Sequence, residues 1–99
     1  MSELADEQAG EPTLEDLAEA ISKIEVGQFL LSAVSTLASL AFGKIEQGEL
    51  AQAKVAIDAI RVLLPVTAGQ VEEGFMRDFE RALANLQVAY ADAASAASD

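Results

Sequence analysis

The sequence holds no cysteine, no histidine and no tryptophan. Without cysteine there is no disulfide to staple a small chain. Without cysteine and histidine there is no soft metal site of the zinc kind. Catalysis near neutral pH loses its two readiest groups, the imidazole acid–base and the thiolate nucleophile. Basic residues are scarce as well: 6 Lys and Arg stand against 17 Asp and Glu, a formal charge of −11. Nucleic-acid binding needs a cationic footprint, and that balance excludes it. Anionic bilayer surfaces are disfavoured by the same sign. No basic stretch followed by an apolar one opens the chain, so no secretory leader is expected and the cytoplasm is the expected location.

What remains is 99 residues, enough for one domain, with 52% apolar residues. Much of that is Ala, the best helix former and a weak hydrophobic anchor. A chain of this size buries a modest fraction of its surface, and self-association is the cheapest way to bury more.

Residues 1–12, MSELADEQAGEP, read as a disordered acidic tail. Thr13 then sits as a helix N-cap with Asp16 at the third helical position, a variant of the capping box. Leu14, Leu17, Ile21 and Ile24 follow at spacings of three, four and three, one apolar stripe on a helix. Glu19 and Lys23 stand at i,i+4 in the better orientation. The pattern leaves open whether this helix continues into the next or bends at Gly27.

From Val26 to Gly43 no residue is charged. At 1.5 Å per residue this run is roughly 27 Å long. Phe29, Leu30, Leu31, Val34, Leu37, Leu40 and Phe42 recur so densely that the helix reads as apolar on nearly every side, hence buried on nearly every side. Ser32, Ser35, Thr36 and Ser39 are small, and their hydroxyls can bond carbonyls one turn back. Too few helices follow in one chain to cover such a helix. The alternative cover is lipid: a bilayer core needs about 20 residues, but flanking positive charge is thin, with Lys23 and Lys44 alone.

GKIEQG, 43–48, reads as a turn. A helix with the seam Leu50, Ala53, Ile57, Ile60 and Leu64 follows, broadened by Val55, Ala56, Ala59 and Val62. Pro65 is expected to stop it, leaving PVTAGQ as a linker. A third long helix begins near Gln70 or Val71 with the seam Phe75, Phe79, Ala82, Leu86 and Ala89, flanked by Val71, Leu83 and Tyr90, and reaches about Ala93. Gly74 interrupts it at a cost of up to about 1 kcal/mol. The tail at 95–99 is expected to fray.

The fold predicted is all-α: one domain over 13–94, a small antiparallel three-helix bundle, four-helix if bent at Gly27, completed by self-association. Phe29, Leu30, Val34, Leu37, Leu40, Phe42, Phe75, Phe79 and Tyr90 are the candidate contacts for a second copy, a dimer most simply, or for a protein partner.

Residues 29–90 resemble a family of small bacterial helical proteins, domain of unknown function family 1844. The resembling features are Phe29-Leu30-Leu31-Ser32 and the apolar helix to Leu40 and Gly43; Leu50, Ala53, Lys54, Ile57 and Asp58; Leu63-Leu64; and Thr67-Ala68-Gly69-Gln70-Val71 before an acidic helix start. Val66, Gln70 and Val71 depart from the family's Lys, Asn and Leu, and Pro65 falls where the family keeps helical or charged sequence. The resemblance implies a compact helical domain and no established activity, and it assigns no catalytic residue.

Tested singly, the polar residues offer little chemistry. Asp58 sits beside the core stripe but can pair with Lys54 or Arg61 at helical spacing. Glu72, Glu73 and Glu80 could offer oxygens to a hard cation, yet acids at a helix start are accounted for by the dipole. No phosphate-binding fingerprint surrounds Gly69. The expectation is a non-catalytic interaction or scaffold protein with no cofactor and no metal. A membrane-associated accessory protein using 26–43 is the alternative.

Overall fold

The computed structural model describes residues 13–98. The acidic tail expected at 1–12 and the last residue of the chain lie outside it. The described residues are all-helical: α1 (Leu14–Ser22), α2 (Val26–Glu46), α3 (Leu50–Ala68) and α4 (Glu73–Ser98).

The predicted cap of α1 forms. The Asp16 N–H donates to Thr13 Oγ1 at 3.1 Å, and the Thr13 N–H donates to Asp16 Oδ2 at 3.2 Å. The Glu19–Lys23 pair closes at 3.4 Å on the surface. α1 ends at Ser22, and Glu25 turns extended at φ −72°, ψ 129°. The break therefore falls over Lys23–Glu25 rather than at Gly27. Gly27 lies in the first turn of α2 for a different reason: a Cβ there would come within 2.8 Å of the Gln70 carbonyl oxygen. The start of α2 thus presses on the turn between α3 and α4, and a hydrogen in place of a side chain permits it.

α2 passes through Gly43 and ends at Glu46, so the expected turn at 43–48 shortens to Gln47–Glu49. Among the described residues Gly48 alone takes a left-handed φ, +76°. The Gly48 N–H donates to the Ile45 carbonyl at 3.0 Å and the Glu49 N–H to the Lys44 carbonyl at 2.9 Å, the paired bonds of a Schellman stop. Lys44 Nζ reaches across the turn to Glu49 Oε2 at 2.9 Å.

Pro65 does not stop α3, which runs on to Ala68. A proline here removes one helical N–H and crowds the Arg61 carbonyl, at a cost of about 3 kcal/mol in a helix interior. Both residues are on the exposed side, where a freed carbonyl can meet water, and buried Leu64 and Thr67 hold the last turn on either side of the proline. The Thr67 hydroxyl donates to the Leu63 carbonyl at 2.7 Å, so its burial leaves no polar atom unpaired. α4 starts at Glu73, later than the pattern suggested, and runs past Ala93 to Ser98.

α2, α3 and α4 pack on one another; α1 packs on none of them. The core is Val34 and Ala41 from α2, Ala53, Ala56, Ile57, Ile60 and Leu64 from α3, and Leu86 from α4. Leu37, Ile45, Met76, Phe79, Leu83 and Tyr90 pack around it, half-buried. α3 supplies most of the core because it lies against both neighbours, and the predicted stripe Ala53, Ile57, Ile60, Leu64 is the side that does so. The radius of gyration is 18.6 Å, where a compact chain of about 100 residues measures about 13 Å.

Candidate interaction surface

Angular position decides what each side chain of α2 can do. Gly27, Val34 and Ala41 form the buried line, at intervals of seven. Gln28, Ser32, Ser35 and Ser39, spaced four, three and four, form an exposed line on the far side. The charge-free run is therefore not apolar all round: it turns amide and hydroxyl groups to solvent, and the expectation of burial on nearly every side is corrected. None of these three serine hydroxyls bonds a carbonyl one turn back; among serine and threonine side chains of the described residues, Ser22, Thr67 and Ser98 do so.

Between those two lines lies the apolar flank of α2 that α3 does not cover. Phe29 and Leu40 are exposed on it, with Ala33 and Leu37 half-buried between them. It continues onto α3. Leu37 and Leu40 share one shallow cleft with Gln52, Val55 and Ala59. Leu40 shares a cleft with Val55 near one end of the pair, and Gly27 lies against Gln70, just past the end of α3, at the other. That register sets Phe29 and Ala33 level with Val66 and Val62. Val55 and Val62 are each 70% exposed and Val66 60%. The pattern had placed Val55 and Val62 as a broadening of the core seam; of that group Ala56 is buried, whereas these two valines point the other way.

Each predicted contact residue can now be placed. Phe29 and Leu40 lie on the α2/α3 flank and Leu37 at its floor, with Leu30 half-buried close by. Val34, expected as a contact, is 1% exposed and belongs to the core, because its angular position puts it on the buried line with Gly27 and Ala41. Phe42, Phe75, Phe79 and Tyr90 lie on other parts of the fold. Phe42 and Phe75 are exposed, while Phe79 and Tyr90 pack against the core. The sequence reading missed Val66, whose signal was the spacing Val55, Val62, Val66, an interval of seven and then four.

Asp58 is an ion-pair acceptor: Lys54 Nζ lies 3.0 Å from its Oδ2, and Arg61 Nη1 3.8 Å from its Oδ1, all well exposed. Glu72, Glu73 and Glu80 are exposed at the start and on the outer side of α4. Among the described residues no three carboxylates gather as a metal site would require. Among the described residues no buried side-chain polar atom lacks a hydrogen-bond partner. The clefts of the surface are open, one of them lying where Gly27, Gln28 and Leu31 face Gln70 and Phe75.

Comparison with known proteins finds no matching family model, no similar curated protein and no similar solved structure.

Proposed function

We propose that this chain is a non-catalytic helical interaction module of the cytoplasm that self-associates, most simply as a homodimer, through the joint flank of α2 and α3. In this reading α2, α3 and α4 form an antiparallel bundle that the second copy completes. The observation that carries it is the row Val55, Val62 and Val66 beside Phe29 and Leu40, bordered on α3 by Asp58 in its ion pairs with Lys54 and Arg61, on a chain of net charge −11. The centres of protein interfaces are depleted of charge in this way. Two strongly acidic copies can meet there because the neighbouring carboxylate, Asp58, is paired with Lys54 and Arg61. Exposed valine is also a poor choice for helix stability alone, since its χ1 freedom is lost without any packing in return.

Sedimentation of the intact chain at low micromolar concentration tests the reading. A dimer is expected, and Val62→Asp is expected to yield a monomer with unchanged helicity, because that side chain touches no core residue. A wild-type chain that stays monomeric up to high micromolar concentration would falsify the proposal.

A second reading, membrane association, is favoured by one observation: α2 is long and apolar enough to span a bilayer by length and composition. The exposed line Gln28, Ser32, Ser35 and Ser39 argues for water or a polar partner there instead. Recovery of the protein in the detergent-free soluble fraction would remove the membrane reading.

A further inference from the structure

The acidity of the chain is unevenly placed. Residues 1–25 hold eight carboxylates and one Lys, a formal −7 of the total −11. The rest of the chain holds the remaining −4, and the helices of the α2/α3 flank hold none of it. α2 is neutral, with Lys44 against Glu46. Among the four described helices α3 alone carries net positive charge, Lys54 and Arg61 against Asp58. The described acids of the N-terminal segment, Glu15, Asp16, Glu19 and Glu25, are all exposed, and α1 packs on none of the other helices.

Position gives this charge its effect. The segment is rooted at Val26, itself 63% exposed and within one turn of Phe29 on the flank. From Val26 to Leu40, the far exposed residue of the flank on α2, is about 21 Å at 1.5 Å per residue. The Debye length is about 30 Å at 10 mM salt and about 10 Å at 0.1 M. At low salt, charge at the root therefore reaches every part of the flank; at the higher salt it does not. Repulsion between two meeting copies scales with the product of their charges. With residues 1–25 neutral, each copy falls from −11 to −4, and that product falls to roughly one eighth.

We propose that residues 1–25 are an electrostatic brake on self-association, released by salt. A large net charge of one sign keeps copies of a protein apart. Here most of that charge is carried on a segment whose helix contributes no residue to the core, while the two helices that would meet a second copy are left close to neutral. The apolar flank sets how tightly two copies hold, and the N-terminal segment sets the ionic strength at which they do so. The inference rests on the self-association reading and adds its regulation.

Sedimentation of the intact chain tests it from about 10 to about 300 mM NaCl, a range over which the Debye length falls about fivefold. The wild-type dimer dissociation constant is expected to fall at least about tenfold over that range. A variant with Glu3→Gln, Asp6→Asn, Glu7→Gln, Glu11→Gln, Glu15→Gln, Glu19→Gln and Glu25→Gln keeps Asp16 in the capping box against Lys23, so that residues 1–25 become neutral. It is expected to dimerise about tenfold more tightly than wild type at the lowest salt and to vary by less than about threefold across the range. Position is read separately. Glu15→Gln, Glu19→Gln and Glu25→Gln together are expected to tighten the low-salt dimer more than Glu73→Gln, Glu80→Gln and Asp92→Asn, three exposed acids of α4. Equal gains from the two triples would make net charge alone the cause and overturn the assignment to the segment. A dimer whose dissociation constant ignores the neutral segment also overturns it while leaving the α2/α3 interface standing. A wild-type chain that dimerises at no salt concentration overturns both proposals.

Discussion

The inner and outer sides of α3 differ less in chemistry than in geometry. The inner side carries Ala53, Ile57, Ile60 and Leu64, all under a tenth exposed; the outer side carries Val55, Val62 and Val66, all well over half exposed. Both are apolar rows at helical spacing, and only the first has neighbours within the chain. The lesson is that hydrophobic periodicity reports a demand for cover, not where the cover comes from. α1 repeats the point with a stripe wholly uncovered, whereas α2, less sharply divided by composition, supplies two of the core residues.

The inner side should break first. Ile60→Ala is expected to cost the domain about 2–5 kcal/mol, the usual range for a large-to-small change in a packed core, and urea unfolding would measure it. A loss below about 1 kcal/mol would mean that α3 is not the centre of the fold. Next comes the contact that seats α2 on the α3–α4 turn. Gly27→Ala must push a methyl against the Gln70 carbonyl oxygen, a backbone atom that yields only by shifting the turn, and a loss of about 1–3 kcal/mol is expected. An unchanged midpoint would show that this approach can relax freely. Val62→Ala on the outer side is expected to leave monomer stability unchanged or to raise it by up to about 0.5 kcal/mol, because alanine is the better helix former. In the same variant dimerisation weakens, and it is this divergence between stability and association that separates the two sides. The smallest effect belongs to the surface: Asp58→Asn should change the unfolding free energy by no more than about 0.5 kcal/mol, as exposed ion pairs at helical spacing contribute little.

Much of the helical architecture was legible in the residues. The capping box at Thr13 and Asp16, the seam through Ala53, Ile57, Ile60 and Leu64, and Leu86 as an anchor of α4 all follow from local chemistry and a period of 3.6. Three features resisted, each for a physical reason. Pro65 was expected to end α3, but packing of Leu64 and Thr67 outweighs the lost backbone bond, and tertiary contacts often override such a local preference. Gly43 resembles a turn residue in the sequence, but it is Gly48, with its positive φ, that takes that role. The absence of charge in 26–43 suggested a helix hidden all round, because counting charges ignores where hydroxyls fall on the helical wheel; Ser32, Ser35 and Ser39 share one side. The proposed contact surface was half legible: Phe29, Leu37 and Leu40 were singled out, while its α3 half was read as part of the core.

The tight stop at Gly48 also bears on how quickly the chain finds its fold. It joins α2 to α3 through three residues, so gathering Val34 and Ala41 with Ala56, Ile57 and Ile60 in one core cluster needs only a short loop to close. Such near-diagonal contacts keep contact order low, and helical domains of low contact order fold in microseconds to milliseconds. The α2–α3 hairpin is therefore the natural nucleus, onto which α4 condenses with Leu86, and a substitution at Gly48 that disfavours positive φ would slow folding as well as weaken the folded state.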